Sequence, residues 1–331
     1  MSDKAHAFWC TGPFEGEIRT ESLPPLPSDM VRVRTLFSAI SRGTEQLVWR
    51  GGVPASQVQA MRAPFQEGDF PFPVKYGYSA VGVVEAGAGA GAEALVGRRV
   101  FCLHPHQDLF DAPADAVRPL PDDLPAERAV LAANMETAVN GCWDAQPLAG
   151  ERIAVIGAGV VGCLIARLAA QIPGASVELI DVDPAKRAVA DALGLAFRAP
   201  AEAAGDCDLI FHVSGAPAGL STALSLAGVE GRIVEMSWYG DAQVSVPLGE
   251  AFHSRRLALL SSQVGRLPDH RRARWDYARR MMLALDLLRD PVFDALLTHE
   301  AAFDSLPTRL AEIAETPNVL CWRLRYPAAD A

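Results

Sequence analysis

Cysteine is scarce and dispersed. There are six in 331 residues, at Cys10, Cys102, Cys142, Cys163, Cys207 and Cys321, with no C-x-x-C and no close pair. That spacing excludes a structural metal site built on four clustered thiolates. In a chain of this length it reads as free thiols in a reducing compartment. Positive charge is in deficit: 30 Lys and Arg against 40 Asp and Glu leave a formal net charge of −10, the opposite of a dedicated nucleic-acid binder. Long apolar runs are missing as well. The longest, IAVIGAGVVGCLIA, is cut by glycines and ends at Arg167, too short for a membrane span. No basic-then-apolar leader opens the chain. The expectation is a cytoplasmic protein with a small-molecule substrate and neither membrane nor nucleic acid as partner.

What is present is ordinary globular material. Half the residues are hydrophobic and about a fifth are charged. The length allows about two domains at ~150 residues each. The first 120 residues are rich in short strand patterns: VRVRTLF at 31–37 alternates, VGVVE at 81–85 and RRVFCL at 98–103 follow, and Pro and Gly punctuate between them. AGAGAGAEA at 86–94 reads as a flexible hairpin loop. Near Pro121 the texture changes, and from Arg152 strand, glycine turn and helix alternate, which implies a parallel sheet covered on both faces. After about residue 265 the chain turns helical and basic. Its arginines Arg266, Arg271, Arg272, Arg274, Arg279 and Arg280 read as a solvated helix face. The closing NVLCWRLRY has strand character and points to a return to the first domain. The domains expected are 1–125, β-rich; 126–265, parallel sheet; and 266–331, returning.

Gly157, Gly159 and Gly162, enclosing Val160 and Val161, form G-A-G-V-V-G directly after an apolar strand and at a helix start. The first glycine allows the tight turn, the second lets backbone approach a pyrophosphate, and the third lets helix and strand pack closely. Asp181 closes the next strand, an acceptor for the hydroxyls of an adenosine ribose whose charge repels a 2′-phosphate, so NAD is expected over NADP. Lys186 is placed to reach the same ribose. Val213, Ser214 and Gly215 follow a further strand and are expected against the cofactor, with Ser237 and Trp238 ending another.

This arrangement resembles the medium-chain dehydrogenase/reductase superfamily over nearly the whole chain. The resemblance implies an α/β protein: a GroES-like β-rich barrel domain plus a Rossmann domain with a doubly wound parallel sheet, a cleft between them for the active site, and a homodimer. Zinc-dependent members carry a Cys-Gly-Thr-Asp-like loop, then Gly-His-Glu, then a third ligand before the Rossmann domain. Here Arg42-Gly43-Thr44-Glu45 falls on the first motif, Gly77-Tyr78-Ser79 on the second, and Ala133 or Asn134 near the third. None supplies a thiolate or imidazole, so no metal is expected. His104 and His106, in FCLHPHQD, read as loop or cleft residues rather than a metal pair. Among zinc-less subfamilies, SRGTE and KYGY look most like the dehydrogenase that oxidises the hydroxyethyl group of a bacteriochlorophyllide.

Without zinc as Lewis acid, protein donors must manage the charge at the substrate oxygen. The resemblance places Thr44 where relatives relay the substrate's proton and Tyr78 near the same oxygen. Glu45 is expected to hold Arg42 or orient the loop, and His106 to act as a terminal proton carrier. Arg42 has three readings: an anion clamp, an electrostatic replacement for the metal, or an ion pair with Glu45. The expected activity is interconversion of a secondary alcohol and a ketone with NAD(H). The alternatives are an enoyl or quinone reductase and a non-catalytic NAD(H)-binding protein.

Overall fold

The computed structural model describes residues 4–316 and 319–327; Asn318, first residue of the expected closing strand, and the last four residues of the chain lie outside the described residues. The chain divides into two units. One is formed by residues 1–133, 285–291 and 297–331, the other by 134–284 and 292–296.

The first unit is built on antiparallel pairing. Strand Met30–Ile40 is its spine: Ala80–Gly87 and Leu109–Pro113 pair with it antiparallel, and so does Cys321–Arg325, with Trp322 opposite Ile40. Strand Leu297–Ala302 then lies parallel to Cys321–Arg325. Strands Lys4–Gly12 and Glu15–Ser22 form a hairpin in a second, four-stranded sheet. Val31, Val33, Val84, Val100 and Phe110 fill one core, and Phe8, Trp49, Tyr76, Phe303 and Trp322 fill another. The β-branched residues of these strands suit a pleated, buried face. The Ala-Gly run is not a loose loop. It ends strand Ala80–Gly87 and forms a short helix, Ala90–Glu93. Ala92 is buried there, and a Cβ on Gly87 would lie 2.4 Å from the Ala92 carbonyl, so packing at short range overrides the low-complexity pattern.

The second unit holds a six-stranded, wholly parallel sheet. In spatial order its strands are Ala196–Arg198, Ser176–Ile180, Arg152–Ile156, Cys207–His212, Ala227–Glu235 and Ala258–Ser261. Chain order runs outward in both directions from Arg152–Ile156, so the strand order reverses between that strand and Cys207–His212. A crevice at the carboxyl ends of such a pair is where doubly wound folds bind ligands. Helices Val160–Ala169 and Pro217–Leu226 follow the two central strands. Residues 266–284, expected with the returning segment, belong to this unit. Arg280 is buried and pairs with Glu136 and Asn140 on helix Ala132–Ala145, and Trp275 packs 4.8 Å from Trp143. Several residues of the arginine cluster are therefore structural. Arg271 covers Trp143 and Arg279 covers Trp275. Among the described residues no helix is long and apolar enough to cross a membrane.

Candidate functional site

Strand Met30–Ile40 delivers the SRGTE loop, and helix Thr44–Trp49 takes it up at once. Glu45, 5% exposed, turns inward. Its Oε1 accepts the Ser41 N–H at 2.8 Å, and its Oε2 lies 2.8 Å from His106 Nε2. A carboxylate only accepts, so His106 carries a proton on Nε2. In the neutral ring Nδ1 then accepts from Ser38 Oγ at 2.8 Å, and Ser38 Oγ in turn lies 3.0 Å from the Tyr326 hydroxyl. Burial pushes the Tyr326 phenol far above its ordinary value, so it stays a donor. A continuous hydrogen-bonded chain thus runs from Tyr326 through Ser38 and His106 to Glu45.

This order corrects two expectations. Glu45 does not hold Arg42: the Arg42 guanidinium is exposed and donates to the Val319 carbonyl at 3.2 Å. His106, expected as a terminal proton carrier, is enclosed. It is 2% exposed and held on both ring nitrogens.

Thr44 and Tyr78 do come together. The hydroxyls of Ser41 and Thr44 lie beside the half-buried Tyr78 phenol and favour its ionised form. Burial first, then the charge of Glu45, pushes that phenol up to about 12 against the lowering effect of the two hydroxyls. Ser79, next in the chain, is buried and donates to the Val130 carbonyl, so its hydroxyl is committed to backbone. His104 stacks on Phe110 with ring centroids 3.8 Å apart, and burial lowers its pKa to about 3.

In the parallel-sheet unit the glycine turn has the form its motif requires. Gly157 sits at φ 111°, and a Cβ there would lie 2.7 Å from Ser214 Cα. A Cβ on Gly162 would fall 1.8 Å from the Gly157 carbonyl oxygen, whereas one on Gly159 would meet nothing within 4 Å. Gly162 is thus the packing glycine, and Gly159 leaves open space at the start of helix Val160–Ala169, beside Val160 and Val161. Asp181 accepts the Ala158 N–H on Oδ2 at 2.7 Å and the Asp183 N–H on Oδ1 at 2.9 Å. It therefore braces the turn, with the outer lone pairs of both oxygens still available. Lys186 is buried at the end of the short helix Pro184–Lys186, near the Cys163 thiol. Ser214 is exposed, and Gly215, at φ 69°, donates its N–H to Ser237 Oγ at 3.1 Å.

No family model matches the chain. A zinc-type alcohol dehydrogenase-like protein of Haemophilus influenzae, itself uncharacterised, is 28% identical over 144 residues, 40% of this chain and 42% of that protein. The match thus spans less than half of the relative's length. L-idonate 5-dehydrogenase of Escherichia coli superposes with a TM-score of 0.81 at 16% identity, over 98% of this chain and 99% of that one. An E. coli short chain alcohol dehydrogenase solved with NADH superposes at 0.77 and 17% identity, over 98% and 100%. The fold is that of the medium-chain dehydrogenases.

The residues expected from the sequence where zinc relatives place their motifs are Arg42, Tyr78 and Ser79, with Ala133 or Asn134 near the third ligand. A guanidinium repels a divalent cation, and neither Tyr78, protonated up to about 12, nor the committed Ser79 hydroxyl fits a zinc set. Among the described residues no three His, Cys, Asp or Glu side chains are grouped as metal ligands. Ser38, Ser41, Tyr326, His212 and Glu235 are polar groups that motif reasoning passed over. A histidine inside the apolar DLIFHVSG and a glutamate inside GRIVEMSW are the signals that mark the last two.

Proposed function

We propose that the chain is an NAD(H)-linked, zinc-independent oxidoreductase that interconverts a secondary alcohol and a ketone. The observation that carries the reading is the trio at the SRGTE loop: a Tyr78 phenol held protonated and backed by two hydroxyls, where zinc relatives place a ligand. The residues of the glycine turn fit a dinucleotide, with Gly159 leaving room for a pyrophosphate and Asp181 at the ribose end, while Lys186, its ammonium buried, is not placed to reach it. A carboxylate at that end disfavours a 2′-phosphate, which supports NAD over NADP. The nicotinamide, when bound, supplies or takes up the hydride.

The chain's own part is the oxygen. Tyr78 holds a proton at Oη and donates it toward the substrate oxygen, and Ser41 and Thr44 are placed to return one to the phenol. The Glu45–His106 pair fixes the loop that carries them. Arg42, exposed at the loop, supplies positive charge beside that site rather than an ion pair. A homodimer belongs to the same proposal. The parallel sheet ends on strand Ala258–Ser261, whose Leu259 and Leu260 are exposed, and sedimentation at the monomer mass would remove it.

The test is turnover of secondary alcohols with NAD and of ketones with NADH by chelator-treated protein. Sustained turnover with no bound zinc is the expected result. Reduction of activated alkenes without alcohol oxidation would replace it with an enoyl or quinone reductase. Tight NADH binding with no hydride exchange over a broad carbonyl panel would leave a binding protein. About one zinc per chain on elemental analysis would overturn the metal-free chemistry.

A further inference from the structure

The glycine turn does not use everything at its end of the parallel sheet. His212 and Glu235 close adjacent strands and stand opposite one another in register. The His212 ring is wholly buried, with Nδ1 2.7 Å from Glu235 Oε2 and Nε2 2.7 Å from Ser214 Oγ. Glu235 Oε1 accepts the Ser237 N–H at 2.7 Å, and the Tyr239 hydroxyl donates to Oε2 at 3.0 Å. Burial raises the Glu235 carboxyl, but the hydrogen bonds from His212 and Ser237 outweigh it and leave the group below its ordinary value.

Serine, histidine and carboxylate in this order are the parts of a nucleophilic triad, yet an oxyanion would find no donors. The Gly215 N–H is spent on Ser237 Oγ at 3.1 Å, and the Ala216 N–H on Ser214 Oγ itself at 3.2 Å. The direction of the hydrogen bonds gives a different use. The carboxylate only accepts, so Nδ1 bears the ring proton; in the neutral ring Nε2 is a bare acceptor and takes the Ser214 hydroxyl hydrogen. The serine oxygen therefore turns its lone pairs outward. One receives the Ala216 N–H and the other remains on an exposed residue beside the Gly157 turn, against which Ser214 is pressed.

We infer that Ser214, aimed by the His212–Glu235 pair, is a fixed acceptor for a ribose hydroxyl of the dinucleotide, with His212 and Glu235 as positioning residues. This rests on the dinucleotide reading above. A ligand group that offers only lone pairs, such as a phosphate oxygen, is repelled at this point, so the site selects a donor.

The experiment is fluorescence titration of the full chain with NADH. Ser214→Ala, at an exposed position, weakens NADH about fivefold, the loss of roughly one neutral hydrogen bond. Glu235→Gln is the diagnostic variant. Its amide oxygen stays on the Ser237 N–H, its NH2 falls on Nδ1, the ring proton moves to Nε2, and the Ser214 hydrogen turns outward. NADH then weakens about tenfold, but the same change in the Ser214→Ala background costs nothing further. Wild type that binds NADH alongside an unchanged Ser214→Ala overturns the inference alone. So does a Glu235→Gln effect of equal size in both backgrounds. Wild type that binds no NADH overturns the dinucleotide reading and this inference with it. Thermal melts establish that each variant is folded, and the Ser214→Ala arm decides by itself if Glu235→Gln is not.

Discussion

Tyr78 concentrates the chemistry proposed for this chain in one proton. Because burial and the charge of Glu45 push its phenol up to about 12, the proton stays on at every lower pH and is lost only as pH rises through that value. Ketone reduction is therefore expected to show no alkaline break from Tyr78 until pH approaches about 12. Tyr78→Phe is expected to lower kcat about 10²-fold with NADH affinity unchanged, read by steady-state kinetics and fluorescence titration. Equal losses in kcat and cofactor affinity would move Tyr78 out of the oxygen site. Glu45 tests the frame behind it. Glu45→Gln removes the buried carboxylate that accepts from the Ser41 N–H and His106 and is expected to cost about 1–3 kcal/mol by urea unfolding. A loss under ~1 kcal/mol would mark the pair as dispensable.

At the scale of an element, the glycine turn separates folding from binding. Gly162→Ala drives a methyl group into the Gly157 carbonyl oxygen, and a stability loss of about 1–3 kcal/mol is expected. Gly159→Ala meets no protein atom, so its melting temperature is expected to stay at the wild-type value while NADH binding falls at least about tenfold. If both variants bind NADH normally, the turn holds something else.

The same turn shows why some of the molecule could be read from sequence. A glycine motif between an apolar strand and a helix is a local pattern, and so are the alternation at 31–37 and the strand tail at 321–325. The groups that were missed depend on contacts remote in sequence. His212 meets Glu235 only because their strands pair in parallel register, and His106 meets Glu45 and Ser38 only across the first unit. Arg280 looked like one of a solvated row, yet it is buried against Glu136, a partner no local window contains. Arg42 and Glu45 invited the reverse mistake. Their nearness in sequence implied an ion pair, but the helix beginning at Thr44 sends one side chain outward and the other into the interior.

For the whole molecule, the thiols set an alkaline limit. Cys10, Cys102, Cys163 and Cys321 are buried, and burial above all pushes each up to about 12 from an ordinary 9.0. Their folded values lie above the unfolded ones, so their contribution is intact below about 9 and is lost as pH rises toward about 12. The slope is ~1.4 kcal/mol per pH unit for each thiol that ionises only on unfolding. Urea midpoints are expected to hold steady up to about pH 8.5 and fall steeply above it. A midpoint that stays level through pH 11, two units beyond the ordinary thiol value of 9.0, would contradict the burial of these groups.

Strand Cys321–Arg325 is paired to Met30–Ile40, with the parallel-sheet unit between them in the chain. On the ribosome this sets an order of events. Residues 134–284 have emerged before the closing strand is made, while residues 37–40 of Met30–Ile40 stand with one side unpaired. At about 5–20 residues per second the wait lasts roughly ten to forty seconds. During it, that open edge is the part of the nascent chain most in need of a chaperone's cover.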